Sequence, residues 1–206
     1  MDKVAILVDG GFYRVRAKRL FGKGQTPAER ANELEAYCLE HARYALNAGG
    51  RELYRIFYYD CPPIATTVRN PITNGYDNLA MTPTYQWTER FFNELIHKKM
   101  FAIRRGRLTK PLTGYVLTPK AQKAFFSGHL TMANIQQSDL RLDIGQKGVD
   151  MRLGIDLVQL ATKRLVDHVV LIAGDSDFVP AVKIARREGV KIILDNMNNN
   201  INWLCS

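Results

Sequence analysis

The sequence predicts an α/β protein in which helices cover both faces of a mostly parallel β-sheet. Three short apolar runs, at residues 3–8, 169–173 and 190–194, are rich in Val and Ile, as is typical of strands buried on both faces. Segments with helical spacing separate these runs, and strands that alternate with helices indicate a parallel sheet. A chain of 206 residues suits one α/β domain. We therefore predict a single domain over residues 1–206.

The first half of the chain begins with the strand at residues 3–8, which ends at the turn signal Asp9-Gly10-Gly11. A basic segment follows this turn. Regular spacing of apolar residues and runs of aromatic and β-branched residues then predict four further elements. These are a helix at 28–46, a strand at 52–59, a helix at 88–99 and a strand at 100–108.

In the second half, a helix at 150–165 precedes the strand at 169–173, and a helix at 178–188 precedes the last strand. Two stretches rich in Gly, Pro and amides, near 61–87 and 109–146, are predicted to be irregular insertions. Loops of this length inside a compact domain are usually functional or mobile.

Composition excludes several classes of protein. Apolar residues make up 46% and charged residues 24% of the chain, which excludes a disordered tail, a collagen-like fibre and a coiled-coil rod. No run approaches the ~18 apolar residues of a membrane-spanning helix, and the first apolar run is too short for a signal peptide. The cysteines are odd in number and form no C-x-x-C pair, so we expect a reducing, cytoplasmic location without disulfides or structural zinc. They are Cys38, Cys61 and Cys205.

The charge of the chain favours a polyanionic partner. Lys and Arg total 29 against 20 Asp and Glu, which gives a net charge of +9. Nucleic acid is the most common polyanion that such a surplus attracts. The alternative is a basic surface that serves solubility only.

Acidic residues follow two of the predicted strands. Asp9 ends the first strand, while Asp175 and Asp177 follow the strand at 169–173. Because the carboxyl ends of parallel strands meet at one edge of a sheet, we expect these acids to converge. Asp150 opens the predicted helix at 150–165 and is expected at the same edge. The structural alternative is that each aspartate caps a helix.

Clustered carboxylates repel one another, and a bound cation relieves this repulsion. Oxygen ligands without Cys or His suit Mg²⁺ or Mn²⁺, ions that activate water in phosphodiester cleavage. Asp156 lies six residues after Asp150, so the two side chains point about 120° apart on a helix. We therefore interpret Asp156 as a structural or hydrogen-bonding acid and not as a direct ligand.

Four segments together resemble a known family. They are VAILVDGGF, ELYRIFYYD, KGVDMRLGIDLVQLA and AGDSDFVPAVKIARREGV. This set looks like the NYN domain, and in particular its LabA-like branch of PIN-like nucleases, from residue 4 to about residue 194. The resemblance implies a PIN-like three-layer sandwich and a divalent-metal-dependent ribonuclease. It also implies that the catalytic and metal-binding residues are Asp9, Asp150, Asp175 and Asp177.

Basic residues close to the predicted acidic edge are candidates for holding RNA phosphates. Phe125 and Phe126, in the second insertion, are candidates either for stacking on bases or for a small apolar cluster. The basic candidates are Arg14, Arg16, Lys18, Arg19, Arg104, Arg105 and Arg107.

The leading hypothesis is a ribonuclease, with endonucleolytic cleavage of RNA by metal-activated water. The alternative is a catalytically weak or inactive module that binds RNA or a regulatory protein, because relatives often carry Asn shortly after the first Asp-Gly pair. This chain has Gly11-Phe12-Tyr13 there. A homodimer organised by an exposed sheet face is compatible with both. A serine hydrolase at Ser176 is disfavoured, because no histidine has the supporting spacing.

Overall fold

The computed structural model describes residues 2–45, 52–109 and 114–198. Within these ranges, the strands are β1 (Lys3–Asp9), β2 (Glu52–Asp60), β3 (Thr67–Arg69), β4 (Tyr76–Asn78), β5 (Phe101–Arg105), β6 (Arg107–Leu108), β7 (Tyr115–Leu117), β8 (Leu140–Leu142), β9 (Gln146–Lys147), β10 (His168–Ile172) and β11 (Lys191–Asp195). The α-helices are α1 (Gly10–Leu20), α2 (Pro27–Ala45), α3 (Pro83–Ile96), α4 (Pro119–Phe126), α5 (Val149–Thr162) and α6 (Val179–Arg187). None of these helices is long and apolar enough to cross a membrane.

Five strands form one parallel sheet, in the order β11-β10-β1-β2-β5. From the central strand β1, the chain first adds β2 and β5 on one side and later adds β10 and β11 on the other. The direction of winding therefore reverses between β1 and β10. In open α/β sheets, ligands bind at the carboxyl ends of the strands at such a reversal. The predicted α/β fold with a parallel sheet is confirmed.

Helices cover the sheet on both faces. Along β1, Val4, Ile6 and Val8 are fully buried and belong to the same apolar cluster as buried residues of α1, α2 and α3. Side chains alternate along a strand, so Ala5 and Leu7 point to the other face, where they are also fully buried and where α5 packs. This burial on both faces explains why the strand is a continuous apolar run.

Several element boundaries differ from the predictions. The basic segment after β1 is helical from Gly10 onward, because Asp9 caps α1 through its side chain. The predicted strand at 100–108 breaks at Gly106, where a Cβ atom would lie 2.9 Å from Cys61 Sγ. Cys38 and Cys61 are buried free thiols. Residue 46, the last residue of the helix predicted at 28–46, and Cys205 lie outside the described residues.

The chain forms two compact units. The first comprises Met1–Pro62, Trp87–Arg107 and Lys147–Ser206, and it contains the parallel sheet. The second comprises Pro63–Gln86 and Leu108–Gln146. It contains α4 and two antiparallel strand pairs, β3 with β4 and β7 with β8. Much of the sequence predicted to be irregular is therefore ordered, and its strands of three residues are too short to show a period.

Hydrogen bonds between side chains hold the second unit together. Asp77 accepts from the Tyr115 hydroxyl at 2.7 Å and from Asn70 Nδ2 at 2.8 Å. The same Asn70 amide donates to Gln137 Oε1 at 2.9 Å. Asn70 is buried, so these partners satisfy an amide that water does not reach.

Candidate active site

Four aspartates, Asp9, Asp150, Asp175 and Asp177, form a group that we call the acidic edge. Asp9 is the last residue of β1, and Asp175 follows β10 after two residues. These strands are parallel neighbours with Val8 opposite Ile172, so both acids lie at the carboxyl ends of adjacent strands. Asp177 lies in the short 3-10 helix Ser176–Phe178, and Asp150 lies in the first turn of α5.

Asp9 is held by the helix that follows it. Its carboxylate accepts a hydrogen bond from the Phe12 backbone N–H at 3.1 Å, which caps α1. Burial raises the pKa of Asp9 to about 6, against the lowering effect of the Phe12 hydrogen bond. The charges of Asp150 and Asp60 raise this pKa further, so both carboxylates lie within electrostatic range of Asp9.

Asp150 lies within electrostatic range of the other three aspartates of the acidic edge. Partial desolvation raises its pKa, and the charges of Asp175 and Asp177 raise it further. Its predicted alternative role as a helix cap is wrong, because α5 is capped by Gly148 in a left-handed conformation with φ of 79°. Asp175 does cap a helix, the short 3-10 helix Ser176–Phe178, because its side chain accepts a hydrogen bond from the Asp177 backbone N–H at 2.9 Å. Asp150, Asp175 and Asp177 are all exposed and so remain open to a ligand.

The donor chemistry of the acidic edge fits a hard divalent cation. It consists of carboxylate oxygens without sulfur or imidazole, which is the ligand type of Mg²⁺ and Mn²⁺. Among residues 2–45, 52–109 and 114–198, however, no three His, Cys, Asp or Glu side chains are arranged closely enough to hold a metal ion. The four aspartates thus interact through their charges without forming a closed coordination shell.

Asp60 is a further acid beside the acidic edge, and it is not among the site residues predicted from the sequence. It ends β2, the neighbour of β1, and its side chain is fully buried. Arg14 Nε lies 3.0 Å from Asp60 Oδ2, and the carboxylate also accepts from the Tyr58 hydroxyl at 3.0 Å and the Cys61 N–H at 2.7 Å. Burial nevertheless raises the pKa of Asp60. The sequence pattern that could have identified Asp60 is a strand that ends in an acid, the same pattern that identifies Asp9.

The start of α1 packs directly against this buried carboxylate. A Cβ atom at Gly10 would lie 2.5 Å from the Tyr58 hydroxyl and 2.8 Å from Asp60 Cβ, both too close for an ordinary contact. Gly10 therefore allows α1 to begin against the end of β2. This close approach lets Arg14, on the next turn of α1, reach Asp60.

The basic residues of α1 have different environments. Arg14 forms an ion pair with Asp60. Arg16 is buried, and its guanidinium group donates two hydrogen bonds to the Met197 carbonyl, at 2.6 and 3.1 Å. Arg16 therefore lacks the exposure that its predicted contact with RNA requires. Lys18 and Arg19 lie in the last turn of α1 and are exposed, which their predicted contact with RNA requires.

The basic residues at the end of β5 and in β6 also differ from one another. Arg104 Nε pairs with Asp156 Oδ2 at 2.8 Å, and Asp156 also accepts from the Tyr59 hydroxyl at 2.9 Å. Asp156 thus has the hydrogen-bonding role that its position on the helix indicates. Arg105 and Arg107 are exposed, which leaves their guanidinium groups accessible to a phosphate.

Comparison with known proteins agrees with this architecture. The family model of the NYN domain matches residues 76–201, more than half of the chain, a range that includes Asp150, Asp175 and Asp177. A 63-residue stretch is 40% identical to the uncharacterized protein y4oD of Sinorhizobium fredii and covers 27% of this chain and 29% of that protein, so less than a third of the relative's length is matched. No solved structure matches. The chain belongs to the NYN domain family and has a PIN-like α/β fold.

Proposed function

We propose that this protein is a divalent-metal-dependent ribonuclease that cleaves RNA internally at the acidic edge. The observation that carries the proposal is the position of Asp9 and Asp175 after adjacent parallel strands, with Asp150 in electrostatic range of both. Winding of the sheet reverses at this point, where α/β proteins bind their ligands. Membership of the NYN family favours nuclease chemistry. Within this family, we propose that the chain belongs to the LabA-like branch.

Each aspartate has a distinct task in this proposal. Asp9, Asp150 and Asp175 would hold Mg²⁺ or Mn²⁺, and their carboxylates, which are apart in the structure, would have to move together around the ion. The bound ion would supply water activation and stabilisation of the leaving oxygen. Asp177, on its short helix, would complete the set of metal ligands or orient the attacking water. With a pKa of about 6, Asp9 is ionised at neutral pH and becomes protonated as the solution turns acidic. No side chain has to act as a nucleophile.

Exposed cations of the same unit would hold the RNA through its phosphates. Lys18 and Arg19 at the end of α1, Arg105 at the end of β5 and Arg107 in β6 have the exposure that this role needs. Phosphate contacts position a nucleic acid without reading its bases, so binding is weakly sequence-specific and strongly salt-dependent. The buried free thiols of Cys38 and Cys61 support a reducing compartment, and we assign the protein to the cytoplasm.

Incubation of RNA with the purified protein tests the proposal. Cleavage should occur with Mn²⁺, stop with EDTA and be lost in Asp175→Asn, whereas Glu40→Gln, an exposed acid on α2, should cleave normally. Equal cleavage in all samples would indicate a contaminating nuclease. Absence of cleavage by a protein that still binds RNA would replace this function with the binding-module alternative.

A further inference from the structure

Phe126, the last residue of α4, is the most exposed large apolar side chain in the described part of the chain. Its side chain is 86% exposed. It meets the ring of Phe125 edge-on, with ring centroids 6.0 Å apart and planes at 81°. One face of the Phe126 ring is therefore open to solvent. A single exposed apolar residue is common on protein surfaces, so exposure alone assigns no role.

The charge of α4 points to the class of partner. Lys120 and Lys123 are exposed, and the helix PKAQKAFF contains no acidic residue. Lys123 precedes Phe126 by three positions, which makes the two side chains neighbours on the helix surface. A helix that docks into a protein groove presents several apolar residues at helical spacing. On α4, Ala121 is buried and Phe125 is half-buried, which leaves Phe126 exposed beside Lys123, with Lys120 one turn further along the helix.

The turn after α4 fixes the position of Phe126. Thr118 caps the start of the helix, and backbone N–H groups of Ser127 and His129 donate to carbonyls of the last turn at 3.1 and 2.9 Å. Gly128, with φ of 77°, closes this turn. The His129 ring is itself held, with Nδ1 2.8 Å from Ser127 Oγ. An aromatic ring on such an ordered support loses little conformational entropy on binding.

We propose that α4 is a stacking platform for single-stranded RNA, in which the Phe126 ring stacks on a base and Lys120 and Lys123 contact phosphates. Aromatic rings beside cations are the means by which proteins bind single strands without reading the sequence. The platform rests on the proposed function, since it takes the same class of substrate. It lies in the second unit, whereas the acidic edge lies in the first, so variants of one leave the other intact.

Binding of a single-stranded oligouridine in EDTA, which prevents metal-dependent cleavage, tests the platform. Phe126→Ala should weaken the affinity by about 5- to 150-fold, the range for loss of one base stack. Phe126→Leu keeps an apolar side chain without an aromatic face and should weaken binding similarly, while Phe126→Trp should restore it. The residue is exposed, so unchanged melting temperatures would show that the variants fold.

A salt series tests the cations. Lys120→Ala with Lys123→Ala should reduce the magnitude of the log–log salt slope by about 1.4, if each lysine makes one phosphate contact. Wild-type affinity in Phe126→Leu would overturn stacking, because it would show that RNA binding does not need an aromatic face at this position. If the Phe126 variants bind normally while Asp175→Asn abolishes cleavage, the platform is wrong and the proposed function stands. If Asp175→Asn cleaves RNA normally but Phe126→Ala binds it weakly, the platform stands and the proposed catalytic role of the acidic edge is wrong.

Discussion

Removal of the Arg14 side chain should destabilise the protein, because it leaves the buried Asp60 carboxylate without its cation. The Asp60 side chain is 0% exposed, and that of Arg14 is 26% exposed. In Arg14→Ala, two donors remain at 3.0 and 2.7 Å, the Tyr58 hydroxyl and the Cys61 N–H. These neutral donors satisfy oxygen lone pairs but supply no positive charge.

The expected loss is about 3 kcal/mol. Breaking a buried ion pair by removal of one partner costs about 3–5 kcal/mol. The low end applies here, because Arg14 is partly exposed and Asp60 keeps two hydrogen bonds. In a protein of this size, such a loss lowers the melting temperature by about 6–12 °C.

The loss should also depend on pH. Burial raises the pKa of Asp60, and Arg14 acts against this rise, so Arg14→Ala should raise the pKa further. When the pKa of a carboxyl group is higher in the folded than in the unfolded state, the protein becomes less stable as pH rises through the pKa of the folded state. The deficit of Arg14→Ala should therefore be largest at neutral pH and should shrink as Asp60 becomes protonated in acid.

Urea unfolding at about pH 5 and about pH 7.5 measures these effects. The double variant Arg14→Ala/Asp60→Asn removes the unpaired charge and should recover most of the loss. Arg43→Ala is the matched control, because Arg43 is 77% exposed and its pair with Glu40 spans 3.5 Å. An Arg14→Ala variant as stable as the wild type, or one that Asp60→Asn does not rescue, would refute the reasoning.

Three further predictions concern the acidic edge and its surroundings. Because the pKa of Asp9 is raised to about 6, the melting temperature in EDTA should fall as pH rises through about 6, and Asp9→Asn should weaken this dependence. Gly10→Ala should cost about 1–3 kcal/mol in urea unfolding, because its Cβ would lie 2.5 Å from the Tyr58 hydroxyl. Arg105→Ala with Arg107→Ala should reduce the salt slope of RNA binding by about 1.4 in filter binding.

Each of these predictions has a contradictory outcome. Equal pH profiles of wild type and Asp9→Asn would show that Asp9 is not the group that titrates. A fully stable Gly10→Ala would show that α1 can shift away from β2. An unchanged salt slope would remove the end of β5 from the RNA path, and Arg104→Ala, whose arginine already pairs with Asp156, is the control expected to change the slope less.

The central sheet could be predicted because its strands are recognisable from short local patterns. Residues 3–8 and 169–173 are apolar on both faces, and parallel strand ends meet at one edge, so Asp9 and Asp175 could be placed at neighbouring strand ends. The strands of the second unit escaped prediction because three residues, as in β3 and β7, are too few to establish a period.

The partners of buried charges could not be predicted, because they depend on contacts between distant parts of the chain. Arg14 and Asp60 are separated by 46 positions, and Arg16 donates to Met197, 181 positions away. In the sequence, Arg14 and Arg16 resemble the exposed Lys18 and Arg19. Only the packing of α1 against β2 and of Met197 against α1 distinguishes arginines that pair internally from cations that face solvent.

A crystal structure of the protein grown with millimolar Mn²⁺ tests the central claim most directly, because anomalous scattering locates the ion independently of any activity. We predict an anomalous peak at the acidic edge, bound by carboxylate oxygens of Asp9, Asp150 and Asp175, and no peak there in Asp175→Asn. Absence of manganese from this edge in the wild-type crystal, with the four carboxylates left apart, would contradict the proposed metal-dependent ribonuclease.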